Sequence, residues 1–159
     1  MATQQQIASM LAAQNVKKPY TEFYAFVSKR VAVAQGASAV TDTIQLQADA
    51  DFIIEKLCYM ADIAGAAQTD SSRVVPNITV LLTSTSSGKG LMNIAMPVSS
   101  LFGTAFTPFI LPKPYYLTGN STIQIQYNSN EAVNAVNMQL AFIGRKVFRY
   151  DNTGTIPAQ

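Results

Sequence analysis

Three groups of residues in this 159-residue chain have types and spacings that could do chemistry. Thr83-Ser84-Thr85-Ser86-Ser87-Gly88-Lys89-Gly90 carries the Gly-Lys pair of a phosphate loop, in which backbone amides cradle the anion and the lysine reaches its oxygens. Thr83 stands where the first glycine belongs, and Gly90 replaces the hydroxyl residue that would hold magnesium. The flanks read as strands, so no helix N-terminus faces the anion. The segment reads as a hairpin tip. Asp49, Asp51 and Glu55 place three carboxylates within seven residues. On a strand Asp49 and Asp51 share a face and could bind calcium or act as an acid/base pair. The alternating acids and glycine of a calcium loop are absent, which favours a strand-entry turn whose aspartates accept bonds from nearby amides. Cys58 lies in the apolar run Leu57-Cys58-Tyr59-Met60. There a free cysteine behaves as a small buried hydrophobe, and no neighbouring basic pair in sequence would make it a thiolate.

Two absences narrow the chemistry further. The chain has no histidine, which removes Ser-His-Asp and Cys-His catalysis and histidine switching. A single cysteine cannot close an intrachain disulfide, and structural zinc would lack its usual Cys and His ligands. The expectation is a binding or building protein, not an enzyme, with no catalytic residues, no metal and no cofactor. Tyr115, Tyr116 and Tyr127 could stack on sugars or bases, but no basic groove surrounds them in sequence, so packing is the expected use.

The elements that would position these residues follow from hydrophobic periodicity. Ile7, Met10 and Leu11 fall at helical spacing in a Gln/Ala-rich stretch, predicting a short amphipathic helix over residues 3–13. Lys17-Lys18-Pro19 ends it. Tyr20, Phe23, Tyr24, Val27 and Val31 fit a helical stripe, yet the same segment is rich in aromatic and β-branched residues and also fits a strand over about residues 25–34. From Val40 onward the period is two. Ile123, Ile125 and Tyr127 alternate with Gln124 and Gln126, and Val136, Met138, Leu140 and Phe142 alternate with Asn137 and Gln139, as half-buried antiparallel strands do. Further strands are expected over residues 52–60, 77–83, 91–96, 115–117 and 146–150. Pro108, Pro112 and Pro114 mark an extended connection or a sheet edge, since proline has no ladder donor. The fold class is all-β: an antiparallel β-sandwich or jelly roll with an N-terminal arm containing a short helix. Residues 1–37 are expected to be the arm and lead-in, 38–150 the sandwich and 151–159 a C-terminal tail.

Charge is sparse, at 13% of residues against 48% hydrophobic ones, about half the charged fraction usual in globular domains. Ser, Thr, Asn and Gln number 47 and supply the polarity instead. The net charge of +2 is too weak to argue for nucleic acid. Residues 91–144 hold only Lys113 and Glu131, so this stretch is expected to be buried or covered by neighbouring subunits, and the protein to be oligomeric. The start lacks the basic and apolar regions of a signal peptide, and no apolar run approaches the ~20 residues needed to span a bilayer. Arg145, Lys146 and Arg149 either guard a sheet edge or meet an acidic partner, and the N-terminal arm is either a frayed terminus or docks on a neighbouring or capsid subunit through the anchors Ile7, Met10 and Leu11, with Lys17 and Lys18 meeting acidic groups. The candidate partner contacts are therefore Ile7, Met10, Leu11, Lys17, Lys18, Arg145, Lys146 and Arg149.

One resemblance adds to this reading. Ala50-Asp51-Phe52-Ile53-Ile54-Glu55, Asn77-Ile78-Thr79-Val80, Ser87-Gly88-Lys89, Met96-Pro97-Val98 with Leu101-Phe102-Gly103, Phe109-Ile110-Leu111-Pro112, Asn120-Ser121-Thr122-Ile123 and Gly144-Arg145-Lys146 follow in an order that resembles small virion structural proteins of tailed bacteriophages. The resemblance covers roughly two thirds of the chain and has no catalytic motif. It implies a capsid cement or decoration protein made in the host cytoplasm, a homo-oligomer, by analogy a trimer, bound to the major capsid protein on the capsid exterior. Neither direct nucleic-acid contact nor membrane is implied. A neck or tail subunit is the alternative within virions, and a carbohydrate-binding β-sandwich the alternative outside them.

Overall fold

The computed structural model describes residues 20–67, 72–85 and 89–148. The expected helix over residues 3–13, with Ile7, Met10, Leu11, Lys17 and Lys18, lies outside the described residues, as does Arg149. Among the described residues ten strands and one helical turn follow one another as β1 (Tyr20–Val27), β2 (Val31–Val33), β3 (Val40–Gln45), β4 (Ala50–Ile63), β5 (Ile78–Ser84), β6 (Lys89–Gly90), β7 (Met96–Pro97), α1 (Val98–Leu101), β8 (Phe109–Leu117), β9 (Thr122–Ser129) and β10 (Val136–Phe148). All strand pairs are antiparallel.

The strands form two sheets. Sheet A runs β1-β10-β4-β8, with β2 also paired to β10; sheet B runs β3-β9-β5-β6, with β7 also on β5. Taking β1 with β2 as one position and β6 with β7 as another leaves eight positions. First pairs with last, second with seventh, third with sixth and fourth with fifth. That nesting is a hairpin ribbon wrapped into a double-sheet jelly roll. The chain is thus an all-β antiparallel sandwich, as its periodicity predicted.

The core lies between the sheets. Ile123, Ile125 and Tyr127 of sheet B and Met138, Leu140 and Phe142 of sheet A are all at most 1% exposed. They meet Phe26, Phe52, Ile54 and Leu57 across the same cluster. Phe142 packs edge-on against Phe102, and Phe26 edge-on against Phe52, geometries that the ring quadrupole favours. Burial pushes the Tyr127 phenol up to about 12.

Local differences from the sequence expectation have tertiary causes. The ambiguous aromatic segment is strand, because residues 20–27 pair along their whole length with β10. It starts earlier than expected and breaks at Ser28–Arg30, where the Ser28 hydroxyl accepts the Leu140 N–H and the Lys29 N–H reaches the buried Asp42 carboxylate. Residues 20–33, in the expected lead-in, thereby supply β1 and β2 of sheet A. The expected strand over residues 91–96 is interrupted. Thr79 and Thr83 are four positions apart on β5, but their partners Pro97 and Gly90 are seven apart, so the surplus loops out. The proline-rich crossing becomes the edge strand β8, in which residues 111–114 bulge between the pairs Ile54–Tyr115 and Lys56–Ile110. The last expected strand is the continuation of β10 to Phe148.

Leu140→Ala is expected to cost ~2–5 kcal/mol, the transfer term plus the cavity at a fully buried site. Urea unfolding of the purified variant measures it; a loss under about 0.5 kcal/mol, typical of surface positions, would contradict the core assignment.

Candidate functional site

The outward sides of the two sheets differ in chemistry. On sheet B the outward positions are Thr41, Thr43 and Gln45, then Gln124, Gln126 and Asn128, then Thr79, Leu81 and Thr83. Apart from Leu81 this is a neutral polar face of the kind solvated antiparallel sheets carry.

Sheet A departs from that rule. Directly opposed residues share a face, so the registers place Val27 beside Ala141 and Cys58, Ala25 beside Ile143, Lys56 and Ile110, and Phe23 beside Arg145, Ile53 and Tyr116. All of these point away from the core, whose side is marked by Phe26, Phe142 and Leu57. Phe23 is 76% exposed, Ile110 66%, Val27 52% and Tyr116 50%, and Met60 on the same side is also exposed. Exposed or half-buried apolar side chains therefore occur on strands of all four positions, with the cations Lys56 and Arg145 among them. Such a contiguous patch marks an interaction site, whereas isolated exposed hydrophobes need no explanation.

Polar groups bound the patch. At one end Arg30 Nη2 lies 2.6 and 2.5 Å from the two Asp62 oxygens, and Asn137 Nδ2 donates to Asp62 Oδ1 at 2.8 Å. Burial alone would raise the Asp62 carboxyl, but the Asn137 and Arg30 hydrogen bonds and the Arg30 charge together hold it below its ordinary value near 3.8. At the other end Asp51 accepts the Tyr116 hydroxyl and the Gly119 N–H. Inside the patch, Arg145 pairs with Glu55 at 2.5 Å. That pair is half exposed and contributes little by itself, but it neutralises the guanidinium within an apolar surface. A mostly apolar face that carries arginine and is bounded by polar groups has the composition of a protein–protein interface.

The residues singled out in the sequence are dispersed. Asp49 faces Lys146, Asp51 serves Tyr116 and Gly119, and Glu55 serves Arg145. They share no site, and no group of three or more His, Cys, Asp or Glu among the described residues could hold a metal ion. Thr83 and Ser84 pair with Gly90 and Lys89 as the two sides of a hairpin. Cys58 is buried, and burial pushes its thiol up. Tyr127 is in the core, while Tyr115 and Tyr116 point to opposite sides of β8, so the tyrosines form no common stacking platform.

Of the described partner-contact candidates, Arg145 lies on the patch. Lys146 requires a correction. It is 5% exposed and points into the sandwich mouth, with its Nζ 4.3 Å from the Tyr24 ring centroid, 2.5 Å from Gln47 Oε1 and 3.3 Å from Asp49 Oδ2. The alternation of β10 sends Arg145 outward and therefore its neighbour inward. There ring faces and two oxygens replace water around the ammonium, and no external partner can reach it. Sequence reasoning missed Phe23, Val27, Ile53, Met60 and Ile110, and weighed Tyr116 only for stacking or packing. The available signal was a loss of alternation: Ala141-Phe142-Ile143 and Phe52-Ile53-Ile54 are apolar in both phases, as strands covered on both sides are.

No protein-family model matches the chain, and no curated protein matches it. Among solved structures, dimeric latent PorU from Porphyromonas gingivalis is similar at 14% identity and a TM-score of 0.35, over 88% of this chain and 14% of that one. This chain thus spans a small fraction of that protein's length. A likeness of that degree carries no information on function.

The rim cluster has a pH signature. A carboxyl held below its ordinary value stabilises the fold above that value, and the contribution disappears as pH falls through the folded one. Arg30→Met should therefore flatten the acid limb of stability against pH. Urea midpoints for wild type and variant should lie furthest apart near neutral pH and converge as pH falls below the ordinary carboxylate range. A constant difference across that range would contradict the assignment.

Proposed function

We propose that this protein is a structural subunit of a virion: a homo-oligomeric cement or decoration protein that seats the outward face of sheet A on the major capsid shell and braces neighbouring shell subunits. The observation that carries the reading is the asymmetry of the sandwich, apolar on one outer face and neutral-polar on the other. The resemblance of the segment order to phage virion proteins supplies the context. A protein whose function is adhesion needs a large dry face, a solvated back and a rigid body between them. The jelly roll supplies that body, and jelly rolls recur in capsid architecture.

Mechanistically the work is done by buried area. Apolar surface removed from water contributes roughly 25 cal/mol per Å². Stable protein interfaces bury about 1,200–2,000 Å² in total. Summed over the many copies on a shell, contacts of that size oppose the outward pressure of packaged nucleic acid without any chemical step. Phe23, Ile110 and Tyr116 are the anchors, since they are the large apolar side chains of the face with the most exposed surface to bury.

The test is co-sedimentation of the purified full-length protein with empty capsid shells, and separately with isolated tails, of the phage whose genome encodes it. Wild type should be retained on shells. Ile110→Glu should lower retention at least tenfold, a loss typical of anchor residues, while melting as wild type does because position 110 is solvent-facing. Retention on tails and not on shells, or undiminished retention of the variant, would overturn the proposed seat.

A further inference from the structure

Sheet A has two edges of opposite character. The β8 edge carries Pro112 and Pro114 and a bulge over residues 111–114, devices that block pairing with another strand. The β1 edge has none of them. Its sequence Tyr-Thr-Glu-Phe-Tyr-Ala-Phe-Val contains no proline. Its only charge, Glu22, lies opposite the buried Lys146 and so on the inner side. Among the described residues no strand pairs with the free side of β1.

The polarity of that edge is fixed by one hydrogen bond. The Ser28 N–H donates to the Leu140 carbonyl at 2.8 Å, and Ser28 follows the register pair Val27–Ala141. Hydrogen bonding alternates along an antiparallel strand, so the even-numbered residues of β1 address β10. Thr21, Phe23, Ala25 and Val27 direct their N–H and C=O groups to the open side. These four also send their side chains to the apolar outer face. A ready-made ladder therefore lies beside a hydrophobic patch.

We infer that β1 pairs antiparallel with β1 of a second copy of this chain across a two-fold axis. The register that engages all four open residues sets Thr21 opposite the partner's Val27 and Phe23 opposite the partner's Ala25. By symmetry the same pairs recur on the far side of the axis, giving about eight backbone hydrogen bonds. The side chains suit this register. The large Phe23 ring lies over the small Ala25, and the two β-branched residues Thr21 and Val27 face each other, as stabilising cross-strand pairs do. A second copy is the natural occupant because an antiparallel strand repeated about a two-fold axis meets its own complement, an isologous contact that closes. A three-fold ring would need a different, compatible edge, and the proline-bearing β8 does not offer one. The paired sheets carry the apolar face without interruption through both copies. The inference does not depend on what that face binds.

The experiment uses the full-length protein. Light scattering at micromolar concentration should give twice the 17.2 kDa chain mass, falling to the chain mass on dilution. Hydrogen exchange should show the Phe23, Ala25 and Val27 amides protected in the dimer and exchanging rapidly once it dissociates. Ala25→Pro removes an open-side N–H and none of the β1–β10 bonds, so it should give a species of the chain mass with an unchanged cooperative melt. Phe23→Lys should do the same by replacing the ring over Ala25 with a charge diagonal to its own symmetry mate. A wild-type protein of single or triple chain mass, or a dimer that survives both substitutions, would overturn the inference. So would protection of the three amides that is independent of concentration, which would mean that residues of the same chain cover the edge. If Ala25→Pro does not fold, exchange of the native chain across the dilution series still decides.

Discussion

The pairing of β4 with β10 carries a bulge on which the orientation of the whole sheet depends. Ala50, Phe52 and Ile54 face the core in one phase; Leu57, Tyr59 and Ala61 face it in the other. The phase changes because Glu55 is an extra residue between Ile54, opposite Gly144, and Lys56, opposite Ile143. Without that insertion the first phase would continue and turn Lys56, Cys58, Met60 and Asp62 inward, burying two charges. Gly144 makes the bulge possible. A Cβ there would lie 1.8 Å from the Ile53 carbonyl oxygen, and a backbone atom held in a ladder has no room to yield.

From that register the two faces follow. The second phase of β4 sends Cys58 outward beside Ala141 and Met60 beside Gln139, and leaves Asp62 at the rim to be neutralised by Arg30 and hydrogen-bonded by Asn137. The bulged Glu55 reaches Arg145 and neutralises it, which leaves Lys56 as the other cation on the outer face. Lys146, one position on, is sent inward and held by Tyr24, Gln47 and Asp49. The opposite sheet has no bulge in its β3–β9–β5 ladders and keeps a plain alternation of inward residues and, Leu81 apart, neutral polar outward ones. The asymmetry that supports an adhesive function is thus written in the pairing of one sheet.

Much of the fold was legible in the sequence, because period-two runs report burial directly. Ile123, Ile125, Tyr127, Met138, Leu140 and Phe142 alternate with polar residues and are all core. Pro112 and Pro114 marked an edge, and the Gly-Lys segment marked a hairpin tip. The aromatic run at residues 20–27 was not legible, since its residues fit a helical stripe and a strand equally until the pairing with β10 decides. The apolar face was hidden for a related reason. A strand that is apolar in both phases gives no alternation to read, and only the register of four strands shows which side is the core. The inward lysine escaped because composition treats a cation as solvent-facing, and nothing local announces the ring faces and oxygens that replace its water. The charge-poor stretch over residues 91–144 was expected to be buried or covered. It holds β9 and the first part of β10, largely core, but also the exposed β8, whose surface is apolar or neutral apart from Lys113.

Hydroxyl-radical footprinting of the full-length protein, free in dilute solution and bound to capsid shells, tests the adhesive face most directly. Phe23, Met60 and Tyr116 are oxidisable side chains on that face. They should be modified readily in the free protein and strongly protected on shells, while Leu81 on the opposite sheet and the core phenylalanines keep the same modification in both states. Unchanged modification of Phe23, Met60 and Tyr116 on particles that demonstrably carry the protein would contradict the account.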